Sequence, residues 1–137
     1  MSKFESSIKK VAYPQENVYK MLSDLSNIER VRDRIPEDKL KDLTFDSDSV
    51  SITSPMGPVT LRVVDRDEPK CVKFETEQSP VPMNLWIQML PTSETESKLK
   101  VTIKADLPFF MAAMAKKPLE EGVEKIAEAL ATIPYDV

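Results

Sequence analysis

Side chains able to do chemistry are few in this sequence, and most are spaced for turns. Carboxylates fall in short clusters, Glu37-Asp38, Asp46-Ser47-Asp48 and Asp65-Arg66-Asp67-Glu68. Paired acids can bind calcium or relay protons, but the calcium loop needs a central glycine and a closing glutamate that are missing here. Turn chemistry, in which Asp and Ser side chains bond nearby backbone, accounts for the clusters instead. Histidine is absent, which removes the commonest zinc ligand, the usual general base and every Ser-His-Asp or Cys-His arrangement. Asp106, just before Leu107-Pro108, is the carboxylate kept as a weak general-base candidate, and Asp106 or a tyrosine such as Tyr13 or Tyr19 inside a pocket would favour an enzyme. No metal or cofactor site is expected.

The remaining candidates are binding groups. Phe109-Phe110-Met111 and Met114, reinforced by Met56, Met83 and Met89, are flexible, polarizable or aromatic, and suit a surface that accepts varied apolar guests. Plain core packing is the competing reading. Ser6 and Thr76 interrupt faces that are otherwise apolar, where a hydroxyl either orients a ligand or bonds backbone. Arg62 could meet a ligand carboxylate, but alternation with Leu61 and Val63 places it on an outer, solvated face. Trp86 and Leu90 share one strand face. If Ile87 and Met89 point inward, that face is an apolar patch and a candidate homodimer surface; the opposite register puts Trp86 in a cavity with Asn84 and Gln88.

These groups sit in a chain of 137 residues, 41% hydrophobic and 31% charged, which is enough for one domain with its own core. A net charge of −4 and a pI near 5.0 argue against nucleic acid, because the basic residues are interleaved with acids, as in Glu29-Arg30-Val31-Arg32-Asp33-Arg34. The first residues lack the apolar run of a signal peptide, and no stretch reaches membrane-spanning length. A lone cysteine, Cys71, forms no internal disulfide. The expected location is therefore cytoplasmic, with no stable membrane insertion.

The elements that must position the candidates follow from periodicity. Lys3 to Ala12, with Phe4 and Ile8, reads as an opening strand. Pro14 begins a helix carrying Val18, Met21, Leu22 and Leu25. Ser26-Asn27-Ile28-Glu29 has the spacing of a capping box and opens a second short helix with Ile28, Val31 and Ile35, stopped by Pro36. The period then becomes two. Strands are expected over Leu40–Phe45, Val50–Thr53, Val59–Val64, Val72–Glu77, Met83–Leu90 and Lys98–Ala105, joined by short turns into an antiparallel meander. After Pro118 the sequence Leu119, Val123, Ile126, Ala127, Leu130, Ile133 makes one apolar helical stripe, with Glu120, Glu121, Glu124, Lys125 and Glu128 facing away. Pro118 either starts this helix, with a short separate helix before it, or kinks one continuous helix and lifts the Phe109–Met114 turn off the sheet.

This element order resembles the START-like superfamily, also called SRPBCC or birch-pollen-allergen-like, over essentially the whole chain. The likeness is most local at Pro14-Gln15-Glu16-Asn17-Val18-Tyr19-Lys20-Met21-Leu22-Ser23-Asp24, which is similar to that superfamily's Pro-x-x-x-Val-(aromatic)-x-x-Leu-(Ser/Thr)-Asp segment. Two departures stand out: Val31 replaces a tryptophan common in members, and Asp46-Ser47-Asp48-Ser49 replaces a glycine-rich hairpin. The resemblance implies an α+β helix-grip fold, a curved sheet of about seven strands wrapped around a long C-terminal helix, in a single domain over 1–137. It also implies a cavity between sheet and helix for a small apolar or amphipathic molecule such as a lipid, polyketide or quinone, with its mouth at the turn entering the helix. Phe74, Thr76, Leu85, Ile87, Met89, Leu99, Ile103, Phe110, Met111, Met114 and Val123 are expected to line it. A cyclase- or dehydratase-like enzyme using the same cavity, or an interaction module with a filled core, are the alternatives.

Overall fold

The structure is a computed structural model that describes residues 2–34, 43–54, 57–79 and 82–135, with the backbone alone at 31–34, 53, 54, 57 and 78. Expectations for Ile35, Pro36, Glu37, Asp38, Leu40, Met56, Pro80 and Val81, and for the Val31 side chain, lie outside the described residues. Strands β1 (Ser2–Glu5) and β2 (Lys9–Val11) precede helix α1 (Gln15–Leu22) and a run of 3₁₀ turns, Leu25–Arg34. Strands β3 (Thr44–Phe45), β4 (Ser49–Ser54), β5 (Gly57–Asp67), β6 (Cys71–Gln78), β7 (Met83–Pro91) and β8 (Ser97–Ala105) follow, then helix α2 (Phe109–Ala131). The strands form one antiparallel sheet in the order β1-β8-β7-β6-β5-β4-β3, with β2 also on β8.

The opening strand is two strands, not one, and Ser6 is the reason. Glu5 pairs with Thr102 but Lys9 pairs with Leu99, so one extra residue is accommodated between them. A bulge of this kind reverses which residues face inward. Phe4 and Val11 are therefore both buried, while Ile8, expected to follow Phe4, is 60% exposed. The buried Ser6 hydroxyl accepts the Val101 N–H at 2.9 Å and donates to the Ser7 carbonyl, so the irregular backbone stays bonded. Thr76 acts similarly, accepting from the Met83 N–H at 3.0 Å. Both hydroxyls serve backbone.

Helix α2 is continuous through Pro118, so of the two expectations the longer helix is the one observed. Pro118 lies on the exposed side. Ala115, Leu119, Val123 and Ala127 are buried beneath the helix, where it packs chiefly on β8, β1 and β2. Glu124 clamps it there: the carboxylate accepts the Ser7 N–H at 2.8 Å and the Ser7 hydroxyl at 2.7 Å, and it pairs with Lys9. Those donors hold the Glu124 carboxyl down at about 2. Just beyond the helix, buried Tyr135 donates its hydroxyl to the Leu130 carbonyl and stacks edge-on against Tyr13.

Helix α1 rests on β7 and β6. Its stripe, Val18, Tyr19, Met21 and Leu22, is buried as the spacing requires. Gln15 donates to the Met89 carbonyl at 2.9 Å and Asn17 to the Tyr135 carbonyl at 2.8 Å, tying β7 and the segment after α2 to α1. The 3₁₀ run is capped differently from expectation. Asp24 Oδ1 accepts the Ser26 N–H at 3.0 Å and the Ser26 hydroxyl at 2.6 Å, so Asp24 and not Ser26 is the capping acceptor.

A candidate ligand cavity

Neither helix covers the whole sheet. Helix α2 lies over β8, β1 and β2, and α1 over β7 and β6, so among the described residues neither helix packs chiefly on the inner face of β4 and β5. Val50 and Leu61, paired across those strands, are only half-buried. Between them and the helices lies a cavity of about 210 Å³. Its floor is Val50, Leu61, Phe74, Leu85 and Ile87 from β4 to β7. Met21 and Leu22 of α1, Leu25 and Ile28 of the 3₁₀ run, and Ile126, Leu130 and Ile133 around the end of α2 close it. Asp24 and Asn27 complete the rim, yet polar atoms contribute almost nothing to the wall. The Asn27 amide donates to the Met21 carbonyl at 3.1 Å, and Asp24 is occupied by Ser26.

Among the described residues three hydrogen bonds hold the rim. Arg66 donates through Nε to the Ser23 carbonyl at 2.8 Å and through Nη2 to Asp48 at 2.7 Å. Leu25 N–H donates to the Ser47 carbonyl at 3.0 Å, so the β3–β4 turn is pinned to the start of the 3₁₀ run. That turn is built by Asp46, whose Oδ1 accepts from Asp48 N–H and Ser49 N–H, both at 2.8 Å. These bonds lower the Asp46 pKa, the Asp48 N–H contributing most.

Of the residues expected to line a cavity, Phe74, Leu85 and Ile87 do so. Met89, Leu99, Ile103 and Val123 are buried in the hydrophobic core and do not line this cavity. Thr76 is half-buried beside the β6–β7 connection. Met111 is partly buried, whereas Phe110 is 77% and Met114 81% exposed, so neither reaches the cavity. The cavity meets the last turns of α2, at Ile126, Leu130 and Ile133, and not the turn that enters the helix. Periodicity misses this because it reports which helix face is buried, not how far across a curved sheet the helix reaches. Ile126, Leu130 and Ile133 belong to the apolar stripe already legible in the sequence, but which end of that stripe meets empty space was not.

The acid–base candidates lie elsewhere. Asp106 is exposed, its N–H donating to the Pro82 carbonyl at 3.1 Å. Tyr13 packs on Tyr135. Tyr19 is buried, and desolvation, then nearby Glu68, raises its pKa. None of the three lines the cavity. Trp86 points to the outer face while Ile87 and Met89 point inward. That face is not a bare apolar patch: the ring lies 5.3 Å from Lys73 Nζ and 5.6 Å from Lys104 Nζ, within the range of a cation–π contact. Arg62 is exposed and paired with Glu77, as its alternation suggested.

No protein-family model matches the chain, and no curated protein matches it either. Solved structures do. Truncated norcoclaurine synthase from Thalictrum flavum superposes with a TM-score of 0.78 at 12% identity, over 95% of this chain and 91% of that one. The same enzyme in complex with dopamine and hydroxybenzaldehyde gives 0.74 at 13% identity, over 95% and 84%. A Thermobifida fusca protein solved by NMR gives 0.68 at 16% identity, over 98% and 93%. At such identities the likeness speaks of backbone arrangement only. The chain therefore has the helix-grip fold, a curved antiparallel sheet clasping a long C-terminal helix, as its resemblance to START-like proteins implied.

Proposed function

We propose that this protein binds a small, compact apolar molecule in the cavity between β4–β7, α1 and the end of α2. The observation that carries the reading is a wall made almost entirely of carbon around about 210 Å³. An apolar cavity of about 150 Å³ suffices for benzene, while drug-sized ligands occupy roughly 300–1,000 Å³. The guest that fits is thus a single ring with short substituents, or a branched chain of similar bulk. A sterol or long polyketide is too large for this conformation. Phe74, Leu85, Ile87 and Leu130 would desolvate the guest and select its shape, and the norcoclaurine synthase complex offers a parallel in which the fold holds small aromatic molecules.

Binding is favoured over catalysis because the wall offers shape and desolvation rather than proton transfer. The lining carboxylate, Asp24, is at the exposed rim with Oδ1 taken by Ser26. The test is an NMR titration of the isotope-labelled protein with para-xylene and with indole. Methyl shifts concentrated at Leu85, Ile87 and Leu130 are expected. Saturating concentrations that move none of these resonances would refute the reading.

A further inference from the structure

We propose that the start of α2 is a docking tip for an anionic lipid surface, independent of what the cavity holds. Phe109 is 97% exposed, Phe110 77% and Met114 81%. At about 100° per residue, these three fall with Ala113 and Lys117 in one arc of roughly 140°, opposite the buried Ala115 and Leu119. Large apolar side chains this exposed, grouped on one projecting turn, are what a soluble surface normally avoids unless something covers them.

Size and charge select the partner. Taking roughly 150–250 Å² for a large side chain, the patch offers on the order of 500 Å², below the roughly 800 Å² per partner of a standard protein interface. Charges border it at once. Lys116 and Lys117 follow in the next turn, and neither has an ion-pair partner among the described residues. Lys3, paired with Glu5, borders the same shallow groove as Lys116. The acids at this end are Asp106, Glu120 and Glu121, with Glu5 bonded to Lys3 and Lys100. Two aromatic rings and a methionine flanked by Lys116 and Lys117 match the interfacial zone of a bilayer with negative headgroups. No helix among the described residues is long and apolar enough to cross a membrane; the contact is peripheral and reversible. Phe110 lies about 24 Å along α2 from Ile126, so the docking tip is well apart from the part of the helix that lines the cavity.

The test is vesicle flotation of the whole chain at about 0.1 M salt, with phosphatidylcholine vesicles and with vesicles containing about 30% phosphatidylserine. Flotation with the serine lipid is expected, weakened in about 0.5 M salt as surface charge is screened. The Phe109→Ser/Phe110→Ser variant and the Lys116→Glu/Lys117→Glu variant should each lose at least tenfold in partitioning. Their circular dichroism and melting should stay unchanged, because these side chains are exposed. Failure of the parent to float with the serine lipid would overturn the proposal, as would undiminished flotation of the Phe109→Ser/Phe110→Ser variant. A stable lipid-free dimer, seen by light scattering and abolished by that variant, would reassign the patch to a second copy of the chain.

Discussion

Enlarging Leu61 tests whether the space between β5 and the end of α2 is vacant apolar volume. Leu61 is half-buried, lines the cavity floor and pairs with Val50 on β4 and Thr76 on β6. Leu61→Phe adds three carbons at that floor. If they enter vacant volume, about 0.8 kcal/mol per buried carbon group makes the variant roughly 2 kcal/mol more stable. A matched enlargement in filled core has the opposite sign. Val101, fully buried on β8 away from the cavity, should lose about 1–3 kcal/mol as Val101→Leu, because an extra methylene there forces neighbours off their rotamers. Urea unfolding of the two variants and the parent measures both effects, and about 3–5 °C per kcal/mol is expected in thermal melts of a domain this size. Leu61→Phe should also weaken para-xylene binding at least tenfold by occupying its place. A Leu61→Phe protein as destabilised as Val101→Leu would mean that the interior is packed throughout.

Other outcomes follow from particular contacts. Glu124 has its carboxyl held at about 2 by Lys9 and Ser7. The stability it contributes is complete above its ordinary value near 4.5 and lost as pH falls toward 2; urea melts across that window should show a smaller acid loss for Glu124→Gln than for the parent. Tyr135 has its pKa raised by burial, so the unfolded chain ionises first and stability falls as pH rises above about 10. Absorbance titration of the native protein should find one tyrosine that stays protonated beyond the others. Ser6→Ala leaves the buried Val101 N–H without its hydroxyl acceptor, and calorimetry should register a loss of about 1–3 kcal/mol. Gly122, on α2, has nothing within 4 Å of where a Cβ would stand, so Gly122→Ala should raise stability by about 0.5–1 kcal/mol.

Much of the architecture was legible because burial imposes a period. The stripe Leu119, Val123, Ala127, Leu130 could only be one helix face, and the alternation through Leu99, Val101, Ile103 and Ala105 only a strand with one face inward. The Arg62 orientation followed from the same alternation, whereas Met83–Leu90 is apolar on both faces and only the structure turned Leu85, Ile87 and Met89 inward and Trp86 outward. The hidden features were those where one residue changes the phase or a distant group supplies the bond. The extra residue at Ser6 turned Ile8 to solvent. Asp24 took the capping role read into Ser26, since any acceptor in reach of the free amides can fill it.

The cavity belongs to the second kind. Residue types named apolar positions correctly, but Met89, Leu99 and Val123 are core while Phe74, Leu85 and Ile87 border space, and all six look alike in the sequence. What separates them is how the described helices α1 and α2 divide one curved sheet. Helix α2 is held over β1, β2 and β8 by Glu124 and its own small buried residues, and α1 is held over β6 and β7. The sequence determined which faces must leave water, because that free energy is local to each side chain. Where the covering ran out was decided in three dimensions, because empty volume is a property of surfaces from distant segments that fail to meet.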